Sequence, residues 1–333
     1  MDFSIYFFDS AVWLKRHQTR WSISRAVTRC RSCAVCLRLL AYNLVGCQLP
    51  ASTLSLREGV LVIGSIVNDS TVVYYRLATE QIPARGPKVL NALIVSDVHS
   101  NIEAFQSVVN DADRHGGFDE IWSLGDLIGY GPDPSAVIGL LGQHKHKAVI
   151  GNHDLASIGK LSLEAFNPYA KEANLWTGKQ LTSGERNFLG RQPQIIEEGE
   201  FVMCHGSPRD PVWEYVVSIT AAVASFNHFD TYRCLLGHSH IPFICRPKGN
   251  DSAEFQTPQL GVPLPLNSDR MIINPGGVGQ PRDGDPRASY AIYDSEPETV
   301  THYRVDYDIK TTQDKMREHK LPEFLIERLE FGR

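Results

Sequence analysis

From residue 90 onward the chain repeats one arrangement of apolar and polar positions. A short run of branched apolar residues breaks off into a turn carrying Asp, Asn or His. Leu90 to Val95 leads into Asp97 and His99, and Ile121 to Leu124 into Gly125-Asp126. Ala148 to Ile150 leads into Gly151-Asn152-His153-Asp154, Phe201 to Cys204 into His205-Gly206, and Cys234 to Leu236 into Gly237-His238-Ser239-His240. Such runs predict buried strands of an α/β sheet. Polar residues just beyond their carboxyl ends sit where open α/β sheets place their sites. Asp97 and His99, two apart, are expected to leave a strand end in the same direction. One such unit carries little weight, but five in one chain are hard to obtain by accident.

Helical spacing fills the gaps. Ile102, Phe105, Val108, Val109 and Ala112 predict a helix over 101–115, capped by Asn101 and ended by Gly116-Gly117. Asp133-Pro134 opens a second helix that runs to Gly142. Strands alternating with helices imply βαβ units and a partly parallel sheet. Residues 155–192 interrupt the alternation with two predicted helices, about 163–177 and 183–190, the second opened by Ser183. They make a small cap beside the strand-end turns. A short helix is expected at 219–226. Beyond His240 the chain is β-rich, at 243–246, 270–273, 288–293 and 299–306, and closes with helices at 308–319 and 323–330.

Composition narrows the class. The chain of 333 residues is 42% apolar and 21% charged, as soluble globular proteins are. Its net charge of -5 argues against a dominant nucleic-acid footprint. No stretch is apolar for long enough to span a membrane. Residues 1–87 differ from the rest. The first fifty residues hold seven Lys/Arg against Asp2 and Asp9, a composition shared by transit peptides, basic arms and sequence translated upstream of a true start. Cys30, Cys33, Cys36 and Cys47 invite a metal reading, but their spacing fits neither a ferredoxin run nor a zinc ribbon. The seven cysteines form no dispersed disulfide framework, and Cys204 and Cys234 fall in apolar runs, so a reducing, cytoplasmic setting is expected, with organelle targeting left open. A hairpin around Asn68-Asp69-Ser70 and a linker at Pro83, Gly86 and Pro87 complete this segment, which is otherwise expected to be poorly ordered. Two domains follow: an extension, 1–87, and a main domain, 88–333, with the cap at 155–192.

Carboxylate, imidazole and amide oxygen without thiolate suit Mn²⁺, Fe, Zn²⁺ or Ni²⁺, and the set is too large for one ion. A carboxylate can bridge two ions, the arrangement used in phosphoryl transfer.

Asp97-x-His99, Gly125-Asp126, Gly151-Asn152-His153-Asp154, His205-Gly206 and Gly237-His238-x-His240 together resemble the motif set of the calcineurin-like metallophosphoesterase superfamily, most closely its YfcE/MJ0936-like phosphodiesterase subgroup. The likeness spans Lys88 to about Asp306. It implies a four-layer α/β/β/α sandwich of two mixed β-sheets flanked by helices. It also implies two divalent metal ions, with Mn²⁺ the first expectation, and hydrolysis of a phosphodiester or phosphomonoester by a metal-bridging hydroxide. Asp97, His99 and His240 would hold one ion and Asn152, His205 and His238 the other, with Asp126 bridging. His153 would stabilise the transition state or protonate the leaving oxygen, and Asp154 would orient it through a hydrogen bond. Asn274-Pro275-Gly276-Gly277 departs from the usual Asn-Pro-Gly-Ser of relatives, and the lost hydroxyl bears on a contact near the site.

Tyr130 is a candidate to stack on a base or aryl group, and Arg209, Arg282 and Arg287 are candidates to clamp phosphate. The expected partner is a small phosphate ester or nucleotide. A membrane is not expected, and homo-oligomerisation stays open. Three alternatives compete: a dinucleoside polyphosphate hydrolase, a non-catalytic scaffold on the same fold, and a nuclease. The complete ligand set argues against the scaffold and the acidic balance against the nuclease.

Overall fold

The computed structural model describes residues 90–267 and 269–333 in full, and in the preceding segment the backbone of six strands. The chain divides into two units, Met1–Pro87 and Lys88–Arg333. In the first unit Phe3–Phe7, Ser10–His17 and Arg20–Ile23 form one antiparallel sheet, and Leu54–Arg57, Val60–Ile66 and Val72–Ala78 another. The cysteine cluster at 30–47, the turn at 68–70 and the linker residues 83–87 lie outside the described residues.

The second unit contains two six-stranded mixed sheets. One has the order β9-β12-β11-β1-β2-β3, from Leu264–Pro265 (β9), Thr299–Val305 (β12), Ala288–Asp294 (β11), Asn91–Val95 (β1), Glu120–Ser123 (β2) and His146–Ala148 (β3). β1, β2 and β3 run parallel, and β11 joins β1 antiparallel. The other has the order β4-β5-β6-β10-β7-β8, from Ile195–Glu198 (β4), Phe201–Cys204 (β5), Arg233–Leu235 (β6), Met271–Asn274 (β10), Phe243–Pro247 (β7) and Ala253–Gln256 (β8). Its centre, β5-β6-β10, is parallel.

Alternation along the strands sends side chains to two different cores. Ala92, Ile94, Trp122, Phe201, Met203, Leu235, Ile273 and Ala291 meet between the sheets. Leu93, Val95 and Ile121 face the other way, onto helices Ile102–Arg114 (α1) and Pro134–Gly142 (α2). On the far side Val202, Cys204, Cys234 and Ile272 pack against helix Ile219–Phe226 (α6). The result is four layers, helix, sheet, sheet and helix, each apolar face covered. Cys204, Cys234 and Cys245 are buried and unbridged, used as small apolar residues. No helix among the described residues is long and apolar enough to cross a membrane.

Asn101 caps α1 by accepting from the Ala104 N–H at 3.1 Å. The cap region differs from the sequence expectation. Helix Asn152–Ser157 (α3) begins within the ligand motif itself. Only a 3₁₀ turn forms at Leu163–Ala165, and helix Pro168–Gln180 (α4) starts at Pro168 because Asn167 caps it. Helix Ser183–Leu189 (α5) is opened by Thr182 rather than Ser183, in a reciprocal pair with Glu185. Helices Ile309–Glu318 (α7) and Glu323–Phe331 (α8) close the unit, and α8 packs Leu325, Ile326 and Leu329 with Tyr130 and with Ala170 and Ala173 of α4.

Candidate metal centre

All nine motif side chains converge at the carboxyl ends of the central strands, and all are buried. The route there is not the strand alternation expected for Asp97 and His99. β1 ends at Val95, and both residues lie in the following loop with positive φ, 55° and 49°. Asp126, His238 and His240 share this left-handed conformation, at 52°, 64° and 59°. Side chains other than Gly, Asn and Asp adopt it at a cost, and such strain gathers at functional sites. The glycines beside the ligands admit close approaches. A Cβ on Gly151 would lie 2.0 Å from the Asp126 Oδ1, and one on Gly237 1.8 Å from the Ser96 Oγ.

Each imidazole is fixed through one nitrogen and presents the other. The Nδ1 atoms of His99, His205 and His240 meet the carbonyls of Ile128, Leu124 and Gln280 at 3.3, 2.8 and 2.5 Å. His238 is reversed: its Nε2 meets the Trp213 carbonyl at 3.2 Å, leaving Nδ1. Imidazoles tethered through one nitrogen in this way are characteristic of metal ligands.

The inward atoms form two groups, Asp97/His99/His240 and Asp126/His205/His238, each within 4.8 Å. Asn152 Oδ1 joins the second, 3.1 Å from His205 Nε2. Asp126 Oδ2 lies 3.2 Å from His205 Nε2 and 3.7 Å from His99 Nε2, between the groups. Its Oδ1 accepts the His153 backbone N–H at 2.9 Å, whereas Oδ2, like Asp97 Oδ1, is buried without a hydrogen-bond partner. Buried carboxylate oxygens without donors are costly, so these two fit cation ligands. The donor set fits two divalent ions with Asp126 shared.

The electrostatics agree. Burial pushes the Asp97 carboxyl up to about 6. Burial also opposes ionisation of Asp126, but His205, His153 and His99 hold it below the usual carboxylate range. Burial pulls His205 down, yet Asp126 and Asp97 outweigh it and lift the ring to about 10. His99 and His240 are pushed well below the ordinary value, mainly by burial. Two carboxylates and the Leu124 carbonyl thus draw a proton onto His205, where a cation's charge would serve better.

His153 is no part of either group. Its Nδ1 lies 3.1 Å from Asn174 Oδ1 on α4, and Ser157 donates to the same oxygen. Burial pulls the ring down to about 4. Asp154 does not orient it. The Asp154 oxygens accept the N–H groups of Ile128 and Gly151, because neighbours on a helix point about 100° apart. Burial lifts Asp154 to about 7.

The other candidates separate. Tyr130 is buried, with its ring 4.6 Å from His99 and 4.2 Å from His153. The Arg282 guanidinium lies 5.9 Å from the Tyr130 ring and acts on Asp97, His99, His153 and His238. Arg209 is paired with Glu214 and Arg287 with Asp285. Gly277, in the Asn-Pro-Gly-Gly loop, lies where a Cβ would come 3.1 Å from that of His240, so any side chain there presses on a ligand. Sequence reasoning missed Asn174 and Tyr215, whose ring stacks on His238 at 3.8 Å. The run Trp213-Glu214-Tyr215, soon after His205, was the available signal.

Comparisons with known proteins agree with this geometry. Residues 90–298 match the calcineurin-like phosphoesterase superfamily domain. The uncharacterised protein MJ0912 of Methanocaldococcus jannaschii is 39% identical over 246 residues, 72% of this chain and 97% of that protein. A metallophosphoesterase crystal structure from Sphaerobacter thermophilus superposes with a TM-score of 0.67 at 45% identity, covering 74% of this chain and all of that one. A symmetrical bis(5'-nucleosyl)-tetraphosphatase of Proteus mirabilis is 29% identical over 240 residues, 60% of this chain and 88% of that enzyme. With its two ligand groups, its shared aspartate and this match over most of its length, the chain belongs to the calcineurin-like phosphoesterase superfamily.

Proposed function

We propose that this phosphoester hydrolase cleaves a small phosphodiester or phosphomonoester at a dinuclear centre held by Asp97, His99, Asp126, Asn152, His205, His238 and His240, with Mn²⁺ the first candidate ion. The observation that carries the reading is the unpartnered Asp126 Oδ2 between two buried ligand groups. Bound ions would activate water near neutral pH and neutralise phosphate oxygens. The rest falls to the chain's own residues. Arg282 supplies a guanidinium to the phosphate oxygens from the Tyr130 side. His153, held through Nδ1 by Asn174, keeps Nε2 for the leaving oxygen. The Asn174 oxygen favours the protonated ring, so an arriving phosphate anion can raise His153 from about 4 toward working range. Trp213, Phe166 and Tyr215 form an aromatic rim that limits water at the site.

A second reading, hydrolysis of a dinucleoside polyphosphate, is favoured by the Proteus mirabilis relative's activity and by exposed Tyr215 at the rim, where a base could stack. The test is the full-length protein reconstituted with Mn²⁺. Two ions bound and turnover of bis(p-nitrophenyl) phosphate support the reading, and diadenosine tetraphosphate products decide between the two. A folded protein that binds no metal overturns both.

A further inference from the structure

We propose that the cavity beside Trp213 receives the base of a nucleotide substrate, with the indole as its stacking face. The proposal rests on the phosphoesterase reading above and names its substrate class. The cavity measures about 550 Å³, within the usual size of small-molecule sites. Its lining includes Ile150, Leu155, Gln192, Asp210, Val212 and Trp213. Three stretches of this lining are tied to the three members of the Asn152/His205/His238 group. Ile150 directly precedes Gly151-Asn152, and Leu155 follows Asn152 by three residues, on the same face of α3. The Gly206 N–H, next to His205, donates to the Pro211 carbonyl at 2.7 Å, which fixes Asp210 and Val212 on either side. The Trp213 carbonyl meets His238 Nε2 at 3.2 Å, and the two ring centroids lie 6.5 Å apart. A group bound in the cavity is therefore separated from the metal ligands by about one indole.

The lining suits a planar ring with a polar edge. Ile150, Leu155 and Val212 supply apolar surface, and the half-buried Trp213 supplies an aromatic one on which a base can stack. Acceptors stand among them. Asp210 Oδ1 takes the Trp213 N–H at 3.3 Å, which leaves Oδ2. Gln192 Nε2 donates to the Phe188 carbonyl at 3.0 Å, which leaves Oε1. The Ile150 N–H donates to the Pro193 carbonyl at 2.9 Å and holds the Gln192 segment against the ligand loop. Lys160, anchored on the Gly190 carbonyl at 3.0 Å, adds N–H donors. Stacking separates a base from a bare sugar, and the two free acceptors favour a base with an amino group, such as adenine. A phosphate at the metal ligands and a base beside Trp213 would then belong to one molecule.

The test is calorimetric binding of AMP and of ribose 5-phosphate to the full-length protein at saturating Mn²⁺. The two ligands share sugar and phosphate and differ in the base. Base–aromatic stacking predicts about tenfold tighter binding of AMP, falling to about twofold in W213A and largely kept in W213F. Asp210→Ala, at an exposed position, should lower the ratio about threefold by removing an acceptor. Equal binding of the two ligands by the wild type overturns the proposal, as does an unchanged ratio in W213A. If W213A fails to fold, Asp210→Ala decides in the same way. A ratio lost in Tyr215→Ala but kept in W213A would put the base on the Tyr215 ring and also overturn the cavity. Adenosine, which has no phosphate, separates this outcome from failure of the phosphoesterase reading. Adenosine binding to the metal-free protein, read by saturation-transfer NMR and lost in W213A, supports the cavity even if no metal binds. Absence of adenosine binding in a protein that binds neither metal nor ribose 5-phosphate overturns both.

Discussion

The floor of the site and its rim are built by different means. The floor comes from five strand-end loops, and its ligands are at most 2% exposed. Each imidazole there is tethered to a backbone carbonyl, so the geometry exists before anything binds. The rim comes from separate helices and loops: Asn174 on α4, Tyr215 after β5 and Arg282 after β10. Tyr215 is 46% exposed, and Arg282 donates to the neutral Gln280 side chain. A buried, over-determined floor fixes the reaction class, and a half-open rim is free to choose the substrate.

The sharpest way to break this division is Asp126→Asn. Loss of the shared carboxylate should reduce turnover by at least about 10⁴-fold and lower bound metal, read by elemental analysis. Full metal occupancy with activity intact would remove Asp126 from the bridging position. Next, His153→Ala should cost about 10²–10³-fold in kcat while metal content holds. Metal loss in that variant would make His153 part of the floor.

A third test concerns what supports the floor. His302 Nε2 meets the Asn274 carbonyl at 3.0 Å, and the Asn274 side chain donates to the Gly237 carbonyl and to Ser239 Oγ in the His238–His240 loop. Burial holds His302 near 4, below its ordinary 6.5. A depressed histidine contributes its stability in full above 6.5, where the ring is neutral folded or unfolded. That contribution is lost as the pH falls toward 4, because the unfolded chain takes the proton first. Chemical denaturation should therefore show about 2 kcal/mol less loss between pH 7 and pH 5 in His302→Gln than in the wild type. Equal losses would mean the ring is not held neutral. Smallest is Asn174→Ala, about tenfold in kcat/KM. Asn174 favours the protonated His153, so its removal should also move the alkaline limb of the pH profile to lower pH. An unmoved limb would leave Asn174 a packing residue.

The floor was legible in the sequence because each ligand follows its own apolar run, and five local patterns need no knowledge of packing. The sheets followed from the same runs. What misled was direction: Asp97 and His99 converge through left-handed turns, which no periodicity encodes. Asp154 was misplaced because its adjacency to His153 in sequence is not adjacency on a helix. Asn174 and Tyr215 were invisible for a different reason. They reach the centre only once α4 and the loop after β5 have packed, and a lone Asn or Tyr carries no mark of its neighbours.

The left-handed backbone at His99, His238 and His240 also bears on how this site would decay. Here the residues that perform the function sit in conformations that Gly and Asn adopt more easily. A copy of the gene released from selection for turnover would meet substitutions that relax the backbone while discarding ligands, so that loss of activity and gain of stability would arrive together. In such a lineage the first marks of disuse would be glycines and asparagines in these loops, before any change in the sheets beneath them.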